Sequence, residues 1–502
     1  MEDMQENTTG IVPEEQENTA AAAEAAENKT RPWYKLPIIT IPAIIALLVM
    51  IYLFLKTAYT SMLRYNAIDG INSPFVGLRN YGNIRSEWLA TAAFNTIGIR
   101  LLLLLVCGGL AAAMCCVYRK IKTPGKLLTA ACLWLIPVGL PAAMIGAPII
   151  KAVPDPSGFT CAIAYLMGSG LQTLGIFCFA AGIFAYLKKN PFHGLLAAVL
   201  VWLLKNIGMN AMDAGIHSRI SVSLLTDDRD YLMYLSGGIA HSAALSVVKT
   251  VLQVAIGVIA AVWLRKRTRR KGLREKTTRP EIMMIPIAAV CLAVAHFLYK
   301  PAAGTISNNV MNALSCSLLS ALGGAAAGGL VAWSFVCLLK GASDHLFGII
   351  ALVLSAAMSC LLEQYLLFSK LRMIDTVFPH ALTAAFDERV ILLVVILAFI
   401  LRFKENPRRV SLFLSLALLA GTCTWGKILS SMSYDYGKTL RAGMLFYNNV
   451  WNNYIAEGPY ALIEGSGLDP KLLLNLVMDV PPLLMGAGAA FLMKRAFTEP
   501  KE

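Results

Sequence analysis

Charge is scarce in this chain. Of its 502 residues, 15% are charged and 57% hydrophobic, and the mean hydropathy is +0.62. A soluble globular domain carries about a quarter charged residues, so that class is excluded. The six histidines are scattered without ligand spacing, and no glycine-rich phosphate loop occurs, so neither a metal centre nor a nucleotide site is expected. The chain is not expected to be an enzyme by itself; no catalytic residue and no cofactor is assigned. The eleven cysteines show no metal or redox spacing. Most, such as Cys107, Cys115, Cys116, Cys337 and Cys423, sit inside apolar runs and read as small buried hydrophobes. No secretory leader is read, since the first apolar run follows an acidic, Ala- and Glu-rich tail over residues 1–35, expected to be disordered and cytosolic.

What is abundant is apolar sequence in runs of roughly 20 residues, the length that crosses about 30 Å of hydrocarbon. Such runs lie near 36–55, 96–117, 127–150, 162–187, 192–209 and 239–264. Six more lie near 281–299, 310–339, 345–368, 389–403, 410–430 and 471–493. The expected fold class is therefore an all-α polytopic membrane protein of about twelve transmembrane helices. The net charge of +14 needs no nucleic-acid partner, because Lys and Arg gather in short loops beside membrane ends. Arg119, Lys120, Lys122 and Lys126 fill one such loop, and nine Lys and Arg lie between Arg265 and Arg279. The alternate connections hold more acids, among them Asp227, Asp228 and Asp230. The positive-inside rule then places both termini in the cytoplasm of a multi-pass protein of the plasma membrane, with the lipid bilayer as its constant partner.

The chain also repeats itself weakly. "TRPWYKLP" (30–37) and "TRPEIMMIP" (278–286) each enter a run. Asn95 and Asn312, Gly125 and Gly341, and "KKNP" (188–191) and "KENP" (404–407) recur at a spacing of 216 or 217 residues. Two parallel six-helix repeats are expected, over 36–267 and 281–497, joined by a basic cytoplasmic linker at 268–280.

With those landmarks in place the residues carry a resemblance. "FVGLRNY" (75–81) and "AAFNTIGIRLLLLLVCGGLAAAM" (92–114) resemble the permease subunits of binding-protein-dependent ABC importers of the sugar and glycerol-phosphate (maltose-type) class. That family's G-L-x-N-Y stretch and following N-T pair match Gly77, Leu78, Asn80, Tyr81, Asn95 and Thr96. "LWLIPVGLPAAM" (133–144), "GIAHSAALSVVKTVLQVAIGVIAAVWLRKR" (238–267), "WNNY" (451–454) and "DVPPLLMGAGAAFLMKRAF" (479–497) extend it over nearly the whole chain, as two partner subunits fused head to tail. The resemblance implies import of a solute of carbohydrate type, with a separate ATPase subunit and an extracytoplasmic solute-binding protein as partners. The positive-inside assignment puts residues 73–96 on the outer side, where they would form an amphipathic cap on the first half, with a lipid-interface anchor that has no partner role as the plainer reading. Phe75, Leu78, Tyr81 and Trp88 would lie at the lipid interface, and Arg79, Arg85 and Glu87 would face water or a docking protein.

One departure weighs against coupled transport. The family's EAA-type cytoplasmic coupling loop corresponds here to Lys188, Lys189, Asn190 and Pro191 in one half, and to Lys404, Glu405, Asn406 and Pro407 in the other. A few residues around a proline cannot form two helical turns. A membrane scaffold or sensor that keeps the permease fold without ATP-driven transport is thus the alternative. A secondary transporter would also suit twelve spans, but no acidic or histidine relay lines one of them.

Ionisable groups within the runs ask for partners, since each costs about 2.5–3.5 kcal/mol at membrane depth on insertion scales. Lys249 in the last run of one half and Asp479 in the last run of the other stand at near-equivalent positions, each with an amide one turn away, Gln253 and Asn475. They are the candidate substrate-pathway residues, with a buried inter-half ion pair as the plainer reading. "GGAAAGG" (323–329) reads as a small-residue face for close helix packing.

Overall fold

Pro42 stands in the first turn of helix α1 (Ile41–Thr60), where its missing N–H was an orphan in any case. From there the computed structural model is built of helices alone. It describes residues 38–65, 69–82, 86–136, 158–206, 240, 243–244, 247–248, 251, 279–299, 310–342, 350, 361–401, 408–426 and 470–497. Among these there is no strand, only one isolated antiparallel bridge between Leu63 and Phe75. After α1 come a single turn, α2 (Arg79–Gly82), then α3 (Ser86–Lys120), α4 (Thr123–Leu135), α5 (Gly158–Tyr186) and α6 (Pro191–Asn206). Next are α7 (Arg279–Leu298), α8 (Val310–Gly323), a π-helical segment (Gly324–Gly328) and α9 (Gly329–Gly341). Then follow α10 (Leu361–Lys370), α11 (Phe378–Ala384), α12 (Glu388–Leu401), α13 (Arg409–Gly426) and α14 (Pro470–Phe497).

The apolar helices point to membrane insertion. Three stretches among the described residues are long and apolar enough to cross a bilayer: Ile38–Thr60, Leu101–Lys120 and Leu314–Gly341. Five shorter apolar helices accompany them, at Gly125–Leu135, Gly170–Tyr186, Ile282–Leu298, Arg389–Leu401 and Arg409–Trp425. Large apolar side chains stand exposed along whole helix faces, as at Leu105 and Leu110 on α3 and Ile287, Val290 and Phe297 on α7. A contiguous apolar surface of that extent suits lipid rather than water.

Most expected runs fall on these helices, with instructive differences. Most of the runs at 239–264 and 345–368 lies outside the described residues. The second helix starts at Ser86, well before Asn95, so Asn95 lies inside α3 instead of opening it. At 35 residues α3 is about 52 Å long by helical rise, longer than the hydrocarbon it would cross. Residues 86–96, within the stretch expected as a cap, are therefore the first turns of α3.

The main core cluster joins the two parts of the chain. Within the first part, α5 packs on α3, α4 and α6; within the second, α13 packs on the π segment, α9, α12 and α14. Small residues make the approaches close. A Cβ on Gly175 would lie 2.7 Å from the Leu133 carbonyl oxygen. Between the parts, α14 lies against α4, with Gly486 abutting the Leu135 carbonyl, and α1 lies against α9. Phe184 stacks on Phe399 with centroids 5.5 Å apart and planes 13° from parallel, and the Tyr186 hydroxyl donates to the Phe497 carbonyl at 3.1 Å.

Candidate functional site

The stretch 61–82 is a tight hairpin fastened to the end of α1. Arg64 N–H donates to the Pro74 carbonyl and Val76 N–H to the Met62 carbonyl, both at 2.8 Å. The turn that follows needs Gly77, whose φ of +60° lies in the left-handed region that side chains resist. That turn carries Asn80 inward. Its buried side-chain amide donates 2.8 Å to the Ser61 carbonyl and 2.8 Å to the Leu63 carbonyl. Both are carbonyls beyond the last turn of α1 that no helical N–H serves. The Tyr81 hydroxyl completes the clasp with a 2.6 Å hydrogen bond to the Ser61 hydroxyl. Leu63 and Tyr65 pack with Ala240, the start of the run expected at 239–264. The motif residues Gly77, Asn80 and Tyr81 are thus brought together as a structural clasp, while Leu78 stands exposed. Asn95 and Thr96 are helical positions of α3 whose side chains lie outside the described part.

The other expected site residues are placed only in part. Lys249 and Gln253 lie outside the described residues, and so do Lys404, Glu405, Asn406 and Pro407. Asn475 and Asp479 ride on α14, but their side chains lie outside the described part. No pairing of Lys249 with Asp479 is therefore shown. The first short loop is fully described. Lys189 N–H reaches back to the Phe184 carbonyl (2.8 Å) and Lys188 N–H to the Ala185 carbonyl (3.2 Å), with Lys188 at φ +57°. This is a helix stop of Schellman type with lysine where glycine is usual. Asn190 Oδ1 accepts the Phe192 N–H at 3.2 Å and Pro191 opens α6. The turn leaves no room for an intervening helix.

A polar feature that the sequence reading passed over lies deeper. The expected run at 389–403 falls on α12; α11 precedes it, and the helical course is interrupted at 385–387. α11 starts with Pro379 in its first turn, and its Pro379, His380, Ala381, Thr383 and Ala384 are buried. It ends in tight backbone bonds from Phe386 N–H to the Thr383 carbonyl (3.1 Å) and from Asp387 N–H to the Ala384 carbonyl (3.2 Å). Asp387 then caps α12, accepting the Arg389 N–H at Oδ1 (3.0 Å). Its carboxylate also receives the Arg389 guanidinium through two parallel bonds, Nε to Oδ1 at 2.8 Å and Nη2 to Oδ2 at 2.9 Å. The two side chains are 20% (Arg389) and 10% (Asp387) exposed. A bidentate pair satisfies the charges that burial would otherwise penalise.

Its surroundings fix its depth. α11 lies along the π segment: Cβ atoms on Gly323 and Gly328 would meet Val377 at 2.8 Å and Ala384 at 2.7 Å. On the opposite side Gly324 abuts Thr424, and Gly329 abuts Ala417, both on α13. Within the break, Phe386 meets Phe335 edge-on at 6.3 Å. Gly328 is central in the 28-residue apolar stretch Leu314–Gly341, so the break at 385–387 lies near half its depth. Irregular backbone at such depth persists only where protein or a water-filled cavity surrounds it. At the 216-residue spacing the break corresponds to Ser169–Leu171, in the unbroken helix α5. Gly108 and Gly109 of α3, which stand nearest to the π segment at that spacing, face open space. A proline in a first turn, followed within ten residues by Asp-x-Arg, was the available signal. Among the described residues no cluster of His, Cys, Asp and Glu could hold a metal ion. No family model, no curated protein and no solved structure matches the chain.

Proposed function

We propose that this chain is a permease-like membrane subunit for a solute of carbohydrate type. Its solute path would run beside the broken helix α11–α12, and its two six-helix repeats would stand parallel around a shared seam. The observation that carries the reading is the Asp387–Arg389 pair at a helix break near mid-depth, opposite a π-helical segment. Broken helices at that depth are where membrane transporters bind polar cargo, and π segments concentrate at functional positions. The parallel contacts of α3 with α5 and α6, and of α9 with α12 and α13, support the repeat. The sequence resemblance supplies the solute class, the ATPase and the solute-binding protein as partners, and Lys249, Gln253, Asn475 and Asp479 as further residues of the path.

A second reading, a scaffold or sensor without ATP-driven transport, is favoured by the tight Lys188–Pro191 turn, which has no helix to seat in an ATPase. Mild-detergent isolation from native membrane with mass spectrometry separates the two. Co-recovery of an ATPase and a solute-binding protein, with sugar uptake lost in Asp387→Asn, supports the permease. A well-expressed protein recovered with neither partner supports the scaffold.

A further inference from the structure

The hairpin at the end of α1 presents a surface that the proposed transport role does not use. Phe75 is 65% exposed and Leu78 68% exposed, on a loop held rigid by Asn80 and Tyr81. Arg64 and Arg79 stand exposed beside them, and neither forms an ion pair among the described residues. Below, α1 carries an exposed apolar stripe of Ile41, Ile45, Leu48, Tyr52, Leu55 and Tyr59. The steps of four and three residues hold that stripe to one face of the helix along its whole length. It ends at Tyr59, two residues before Ser61, to which Asn80 ties the hairpin. Phe75 pairs across the bridge with Leu63.

We infer that the hairpin is a phospholipid clamp: Phe75 and Leu78 enter the boundary between headgroups and acyl chains, while Arg64 and Arg79 hold headgroup phosphates. The stripe on α1 argues for lipid as the occupant, because Phe75 and Leu78 stand where that lipid-facing surface reaches the headgroup level. Two exposed guanidiniums beside two exposed apolar side chains match the order of a phospholipid, anionic phosphate above hydrocarbon. A helix end tied to the interface in this way fixes how far α1 sits in the bilayer. The inference rests on α1 crossing the membrane, and does not depend on what the protein transports.

The test places a photoreactive benzoylphenylalanine at Phe75, Leu78 or Leu55 of the full chain in native membranes, and identifies the adducts by mass spectrometry. Phospholipid adducts at all three positions are expected. Phospholipid at Leu55 with a second copy, another protein or no adduct at Phe75 and Leu78 overturns the clamp. Absence of lipid adducts at Leu55 overturns the membrane placement of α1, and the clamp with it. A second measurement uses nanodiscs of galactolipid with phosphatidylglycerol as a minor component. There R64Q and R79Q are each expected to lower the phosphatidylglycerol share of adducts at Phe75 about fivefold, the ratio set by about 1 kcal/mol per basic side chain. An unchanged share overturns the phosphate contact.

Discussion

Gly328 lies so close to Ala384 that a Cβ on the glycine would come within 2.7 Å of the alanine's own Cβ, and 3.1 Å from the Ala381 carbonyl oxygen. Neither neighbour is the far end of a flexible side chain, so the helices must separate to admit a methyl group. Gly328→Ala and Gly324→Ala are each expected to cost about 1–3 kcal/mol, the usual range for overpacking. Gly108→Ala and Gly109→Ala meet nothing within 4 Å and should stabilise by up to about 1 kcal/mol through helix propensity. Thermal unfolding of the four variants in one detergent checks the contrast.

Removing one member of the Asp387–Arg389 pair strands the other in a poorly hydrated site. Arg389→Met or Asp387→Asn alone should destabilise by about 3–5 kcal/mol. The double variant should recover much of that loss, since two neutral side chains leave no buried charge. A double-mutant cycle on Tm measures the coupling; additive losses would show that the two groups act independently.

Asn80 serves two carbonyls with one side chain, which sets a clear order among its replacements. Asn80→Ala should cost about 1–3 kcal/mol for the acceptors left unserved. Asn80→Asp should be worse, because a carboxylate has no hydrogen to donate and faces two carbonyl oxygens. Tyr81→Phe, which loses one hydroxyl contact, should cost about 0.5–1.5 kcal/mol. Limited proteolysis within 61–82 is the direct readout.

Lys188 occupies a backbone conformation that suits glycine. Lys188→Gly is therefore expected to raise stability by about 1 kcal/mol, against the usual direction for a random substitution. Asn190→Ala should lower it by about 1 kcal/mol through loss of the cap on α6.

How much of this was legible in the residues follows from where the deciding interactions lie. Local signals carried part of it: the apolar runs that fall on described residues coincide with helices, and "KKNP", legible as a short loop around a proline, is a helix stop, a cap and a start in the structure. "GGAAAGG" was rightly seen as a packing face, although nothing local tells which partners fill it. The broken helix was missed because "FPHALTAAFDERV" is short, mixed in polarity and preceded by turn residues. Its burial depends on Gly323 and Gly328, some 50 residues earlier, and on the approach of α13. The clasp was half seen. "FVGLRNY" drew attention as an external motif, yet its first effect is to close the end of α1, which only the backbone path of 61–65 reveals. Lys249 and Asp479 were paired by counting residues between two helix exits, and no described side chain bears on that pairing.

The seating of α14 against both α4 and α13 also sets an order for biosynthesis. The carbonyl of Leu135 waits for Gly486 across most of the chain's translation, and Ser415 likewise waits for the carbonyl of Ala489, to which it donates at 2.8 Å. Until the ribosome has delivered α14, the groove between α4 and α13 stays open to lipid or to quality-control factors. A stop codon ahead of α14 would therefore leave the face of α4, made about 350 residues earlier, without its neighbour.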